Sequence, residues 1–250
     1  MAVLSAIIQI GVMWLFPPAL WLVLTRRLRV SWNYVLLGCA TWLVAAPLLV
    51  GLPLVVTALV GATPLSWFVA LAVTAGIAEE TARYLVYRRN AALRDGRSWH
   101  VAVVAGAAHG GVESIVLGVQ ALLWLIVTFY TPEPLPSAFA TPPWAWFYAL
   151  GTVARVLIII GHIGFALLVW RAVSRQRIGY YLAAVLSHIV IDLITFCQPI
   201  LLPGYDWISY ITLLTFCGGA LWLIHQSRPP SEASATNVRA PAAGQPEQIA

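Results

Sequence analysis

The chain has no lysine; all fourteen of its basic residues are arginine. Charged residues make up 9% of it and hydrophobic ones 61%, whereas a soluble domain is roughly a quarter charged. That poverty of charge excludes a water-soluble globule. Cysteine is scarce too. Cys39, Cys197 and Cys217 fall singly in apolar runs, which excludes a disulfide framework or a paired-cysteine metal motif and reads as three small buried hydrophobes. The N-terminus, Met-Ala-Val-Leu-Ser, lacks the positive segment that precedes a cleaved signal peptide. Its first apolar run is followed by Arg26, Arg27 and Arg29 and is expected to remain as an anchor. The isoelectric point near 9.4 would suit a nucleic-acid partner only with a clustered basic face. Here the arginines sit in short loops between apolar runs, so no nucleic-acid partner is expected.

What the chain has in abundance is long apolar runs. Seven can cross a hydrocarbon core of about 30 Å, which takes roughly 20 helical residues. They lie near Val3–Leu24, Tyr34–Val60, Leu65–Tyr87, Val101–Tyr130, Trp146–Trp170, Gly179–Ile200 and Trp207–His225. The expected fold is therefore all-α, a polytopic transmembrane bundle filling residues 1–225 as one domain, with Pro47 and Pro53 placed to kink the second span.

Arginine sets the orientation. The first connection holds Arg26, Arg27 and Arg29, the third Arg88, Arg89, Arg94 and Arg97, and the fifth Arg171, Arg175 and Arg177. Arg228 and Arg239 lie in the C-terminal tail, and the second, fourth and sixth connections have none. This places the N-terminus outside and the basic loops and C-terminus in the cytosol. Trp32, Trp67, Trp99, Trp144, Trp146, Trp170 and Trp207 fall near the span ends, as an aromatic belt would. The Pro-rich Thr131–Pro143 connection is expected to be an irregular outer loop, and residues 226–250 a disordered cytosolic tail.

Polar groups inside a span are costly and are functional candidates by default. Here they are Glu79, Glu80, Arg83, His109, Glu113, Arg155, His162, His188 and Asp192, from the third to the sixth spans. The cytosolic arginines serve as a depth gauge. Glu79, Glu80, His109, His162 and His188 all lie eight to twelve residues from the nearest one, roughly 12–18 Å at helical rise. Glu113, Arg155 and Asp192 lie fifteen or sixteen residues away, a second layer at roughly 22–24 Å. His109 and Glu113, like His188 and Asp192, are i,i+4 and share a helix face; Arg155 and His162 are i,i+7 and do the same. Arg83 is spaced to pair with Glu79. Gly106, Gly110, Gly111, Gly161 and Gly164 would let helices close around the cluster.

Two chemistries fit the shallower layer. His109, His162 and His188 can hold a catalytic zinc with one position left to water and a nearby Glu as general base. Alternatively a Glu activates water directly while imidazoles hydrogen-bond the developing oxyanion. Either needs a water-filled path, expected from the cytosolic side. Singly, each residue has a plainer reading. An intramembrane His is commonly a helix–helix hydrogen bond, Glu79 and Glu80 with Arg83 could be a salt-bridged helix end, and the deeper layer a structural ion-pair cluster. The convergence of three His and a Glu pair at one depth favours a site.

These residues, in this order, resemble the CAAX-processing and bacteriocin-processing superfamily of intramembrane proteases, and within it most closely the YhfC-type intramembrane metalloproteases. The resemblance runs from Glu79-Glu80-Thr-Ala-Arg83 through His109-Gly-Gly-Val-Glu113 and Gly161-His162 to His188-Ile-Val-Ile-Asp192, about 115 of 250 residues. It implies a helical core in spans three to six (about residues 65–200), a conical cavity open to the cytosol and a bacterial plasma-membrane location. It also implies peptide-bond hydrolysis near the cytosolic leaflet by a Glu-activated water. Glu79 would match the family's base, with His109 and His188 contacting metal, water or oxyanion. The CAAX enzymes space the Glu pair and the Arg one residue further apart, which leaves Glu79 and Glu80 both open as the base. They also carry Asn where this chain has Asp192, which is expected to pair with Arg155. The superfamily also resembles the seven-span scaffold subunit of gamma-secretase. A non-catalytic scaffold or partner-binding subunit is therefore one alternative to a peptidase acting on a peptide or membrane-protein substrate, and an ion- or proton-coupled transporter is another, since carboxylate–His chains also carry ions.

Overall fold

A computed structural model describes residues 2–96, 98–130 and 145–228. Its helices are α1 (Ala2–Leu28), α2 (Asn33–Val60), α3 (Pro64–Arg89), α4 (Ala91–Arg94), α5 (Trp99–Tyr130), α6 (Ala145–Ser174), α7 (Ile178–Leu201) and α8 (Trp207–Ser227), and among the described residues there is no strand. Seven of them are long and apolar enough to cross a membrane, and these match the seven expected spans. The eighth, α4, is a single turn in the third connection. Pro47 and Pro53 both lie inside α2, which stays helical throughout. The whole of the expected outer loop, Thr131–Pro143, and the chain from residue 229 onward lie outside the described residues.

A chain in lipid must satisfy its backbone hydrogen bonds within itself, and helices do this segment by segment. The outward faces are accordingly apolar: Leu15, Leu36, Val44, Leu59, Leu186 and Leu214 are all exposed. This is a multi-pass helical membrane protein. Helices α2, α3, α7, α6 and α5 pack in sequence into a ring, α3 also reaching α6 across it, while α1 lies outside against α5 and α6, and α8 outside against α6 and α7. The inner positions of α3 and α6 show in their burial: half of each span window is buried, against 17–28% in the other five.

Local signals fix where α3 begins, and hence the depth of its acidic pair. Pro64 starts the helix, and Thr63 and Ser66 form a reciprocal capping box. At the other end Asn90 stops α3 and caps α4, its side chain accepting from the Leu93 amide. Close helix contacts depend on missing side chains. A Cβ on Gly38 would lie 2.2 Å from the Ala105 carbonyl oxygen, one on Gly76 3.0 Å from the Ile189 amide nitrogen, and one on Gly106 2.9 Å from the His162 carbonyl oxygen. Gly111 instead receives α1, through Trp21 and Pro17, and Gly164 receives Ala220 of α8. A Cβ on Gly161 would meet nothing within 4 Å, so this glycine does not serve the close packing expected of it.

Candidate active site

The Arg-free and Arg-bearing ends of the helices enclose a single polar cluster inside the ring. Glu79, Glu80 and Arg83 come from α3, His109 and Glu113 from α5, Arg155 and His162 from α6, and His188 and Asp192 from α7. The shallower layer is sealed: Glu80, Arg83 and His109 have no exposure, and Glu79, His162 and His188 almost none. The expected convergence of a Glu pair and three imidazoles is therefore met in space. Ring centroids of His109 and His162 are 5.1 Å apart, and those of His162 and His188 5.4 Å. Phe165 stacks on His188 at 4.7 Å with 12° between planes, fixing the orientation of that ring.

For His109 and His162 the hydrogen-bond partners fix which nitrogen carries the proton. The Thr41 hydroxyl donates to the Gly38 carbonyl at 2.6 Å, so its oxygen accepts from His109 Nδ1 at 2.8 Å. That leaves His109 Nε2 as a lone pair, 2.8 Å from Glu79 Oε2. His188 Nδ1 lies 2.8 Å from Glu80 Oε1, and its Nε2 faces two carboxylates, Glu79 Oε2 at 3.9 Å and Asp192 Oδ2 at 3.5 Å. His162 differs, because both its nitrogens are in use. Arg83 Nη2 donates to its Nδ1 at 3.2 Å, and its Nε2 donates to Glu113 Oε2 at 2.8 Å.

Two pairings depart from those expected. Arg83 donates to Glu80, i,i+3, rather than to Glu79. Glu80, tied to both Arg83 and His188, thus becomes the anchored carboxylate of the pair. Arg155 pairs with Glu113, at 3.5 Å, whereas the charged-group contact that Asp192 makes among the described residues is with His188. The two expected layers are also joined: His162 in the shallower one bonds Glu113 in the deeper. Sequence reasoning missed Thr41, which is fully buried on α2. It stands nine residues after the Trp32 cap, at the depth of the Glu–His layer, and that was the available signal. It missed Phe165 too, since an apolar residue in an apolar span carries no signal.

The donor set suits a metal ion. Glu79, His109 and His162 carry ligand-type atoms within 4.8 Å of one another, all buried. His109 Nε2 and Glu79 Oε2 are both acceptors, and two acceptors at 2.8 Å need a proton or a cation between them. Metal-ligating histidines characteristically donate their other N–H to a carboxylate or other acceptor, as His109 does to Thr41 and His188 to Glu80. Glu80 Oε2 and Arg83 Nε are buried without a hydrogen-bond partner among the described residues, which is the condition a polar guest would relieve.

Residues 12–203 match the family described as YhfC intramembrane metalloprotease. The chain belongs to that family. The YhfC match runs from within α1 to just past the end of α7 and so includes every residue of the cluster. One curated relative, the uncharacterized membrane protein YhfC of Bacillus subtilis (strain 168), is 30% identical over 133 residues. That alignment covers 46% of this chain and 50% of the relative, so the chain spans about half the length of the curated relative it matches. No solved structure matches. The family description implies a metal, and the Glu/His/His group is a place in this chain that could hold one.

Proposed function

We propose that this protein is an intramembrane endopeptidase in which Glu79 activates the water that attacks a peptide bond. The observation that carries this reading is the convergence of two imidazole nitrogens, His109 Nε2 and His188 Nε2, on one oxygen of Glu79. Thr41 and Glu80 hold the outer nitrogens of those rings, so that both Nε2 atoms face Glu79. Glu80 is the weaker base here, because Arg83 and His188 both contact its Oε1 and stabilise the ionised carboxylate. Both imidazole contacts of Glu79 use Oε2, and we assign its other oxygen to take the proton.

Glu79, His109 and His162 are the group that would hold zinc, with His188 Nε2 3.9 Å from Glu79 Oε2; zinc would supply polarisation of the scissile carbonyl and a more acidic water. To ligate, His162, which belongs with His109 and His188 to the triad expected from sequence, would have to give up Arg83 or Glu113. This chain's own groups move the proton. One water proton passes to the Glu79 carboxylate as the oxygen adds to the carbonyl carbon; Glu79 then returns it to the leaving amine as the C–N bond breaks. Burial of the cluster keeps bulk water away and strengthens each electrostatic contact.

The arginine segregation supports an N-terminus outside, a C-terminus in the cytosol and a cluster in the half of the bilayer nearer the cytosol. The test uses purified wild type, E79Q and E80Q in lipid vesicles with quenched transmembrane peptides, alongside elemental metal analysis of wild type and H109A/H188A. Cleavage lost in E79Q and zinc lost in the double variant are expected. Undiminished cleavage by E79Q would sink the assignment, and a fully metal-retaining H109A/H188A would remove zinc from this cluster.

A further inference from the structure

Exposure along the polar cluster increases in one direction only. Side chains of Glu80, Arg83 and His109 are 0% exposed and those of Glu79, His162 and His188 3–4%, whereas Glu113, Arg155 and Asp192 reach 18%, 24% and 18%. The open residues are those farthest from the arginine-bearing loops.

Toward those loops the packing is closed. Tyr87, Leu93, Ala102, Leu167, Trp170 and Val173 belong to one buried apolar cluster. Tyr87 lies one turn beyond Arg83 toward the loop, and Ala102 lies between the start of α5 and His109. Leu167 and Trp170 lie between His162 and the end of α6. Leu93, on the single turn α4, is fully buried against them. Water approaching from this side would have to displace a packed core, which costs its burial energy side chain by side chain. On the opposite side it meets charged groups that are already partly exposed.

We infer that the site is served from the arginine-free side, so that water and the substrate chain reach Glu79 past Glu113, Arg155 and Asp192. The route taken by water stands on packing alone; that the guest is a peptide rests on the reading above. Two carboxylates and one guanidinium line this approach, a lining that rejects a lipid acyl chain and accepts a hydrated polar backbone. The bond is therefore presented from the side of the Gly61–Thr63 connection, although the cluster itself lies nearer the arginine-bearing ends. This reverses the cytosolic opening expected from the family resemblance.

Thiol accessibility in sealed vesicles decides the matter. In a C39A/C197A/C217A background, A62C marks the arginine-free side and A91C the arginine-bearing side, both positions being exposed. D192C and R155C probe the approach. T195C is the milder probe, because the Thr195 hydroxyl donates to carbonyls of its own helix, those of Ile191 and Asp192. A membrane-impermeant thiol reagent is applied to one side at a time. Labelling of T195C, D192C and R155C with reagent on the A62C side, and its loss when reagent is confined to the A91C side, is expected. Labelling from the A91C side, or from neither side while A62C reacts, overturns the inference. No turnover is read here, so a chain that labels as expected but cleaves no peptide loses the peptidase reading and keeps this one.

Discussion

His109 Nε2 lies 2.8 Å from Glu79 Oε2 although the proton of that imidazole is committed to Thr41 on its other nitrogen. The pair is two acceptors held together by the fold, and Thr41 is what makes it so. Replacing Thr41 by Val keeps the volume but leaves His109 Nδ1–H buried without an acceptor, freeing the ring to flip or change tautomer. Loss of such an outer partner lowers metal affinity by about 10–100-fold. T41V should therefore lower zinc affinity, measured by competition with a chelator, while the far-ultraviolet helix signal stays as in wild type.

The two carboxylates of α3 should separate by kinetics. Loss of a general base costs about 10²–10⁴-fold in rate, so E79Q should fall by that order with little change in KM. E80Q keeps an oxygen that can accept from His188, but no longer carries the charge facing Arg83. Its activity should fall less than that of E79Q, and its thermal stability more. Equal rate losses with unchanged stability in both would contradict the division of roles.

Much of this was legible in the chain, and for physical reasons. The seven spans follow from the length of apolar runs, since a lipid-exposed helix needs no amphipathic pattern. The common depth of Glu79, Glu80, His109, His162 and His188 follows because a helix in a membrane advances a fixed distance per residue. Partner choice was not legible. Arg83 is one turn from both Glu79 and Glu80, and only the azimuth of α3 within the ring selects Glu80. Asp192 and Arg155 share a depth, yet the helix faces give Arg155 to Glu113. Thr41 was hidden because a lone hydroxyl in a span can bond its own helix, as Thr57 does to Pro53.

Two glycines near His162 make a matched test of close packing. A Cβ on Gly110 would fall 2.7 Å from His162 Cδ2 and 3.0 Å from its Cβ, so the ring must move; one on Gly161 meets nothing within 4 Å. Overpacking of this kind costs about 1–3 kcal/mol. G110A should lower both the melting temperature and activity, because a displaced His162 breaks contact with Arg83 or Glu113. G161A should match wild type or gain slightly, since Ala is the better helix former. Thermal unfolding in detergent with both variants side by side reads the difference.

Arg83 is the costliest residue to remove. It is fully buried, donates to Glu80 and to His162, and stands one helical turn from the buried Tyr87. Breaking a buried ion pair from one side typically costs about 3–5 kcal/mol, because the partner charge is left uncompensated in a low-dielectric interior. R83M should lose that order of stability, read as a lower midpoint of thermal unfolding in detergent. If the loss comes from the stranded Glu80 charge, R83M/E80Q should recover a substantial part of it despite removing a second native group. If the loss comes from packing around Tyr87, the double variant should be no more stable than R83M. Recovery in stability should not bring recovery of activity, because His188 Nδ1 would then donate to a neutral amide instead of the carboxylate that now orients it toward Glu79.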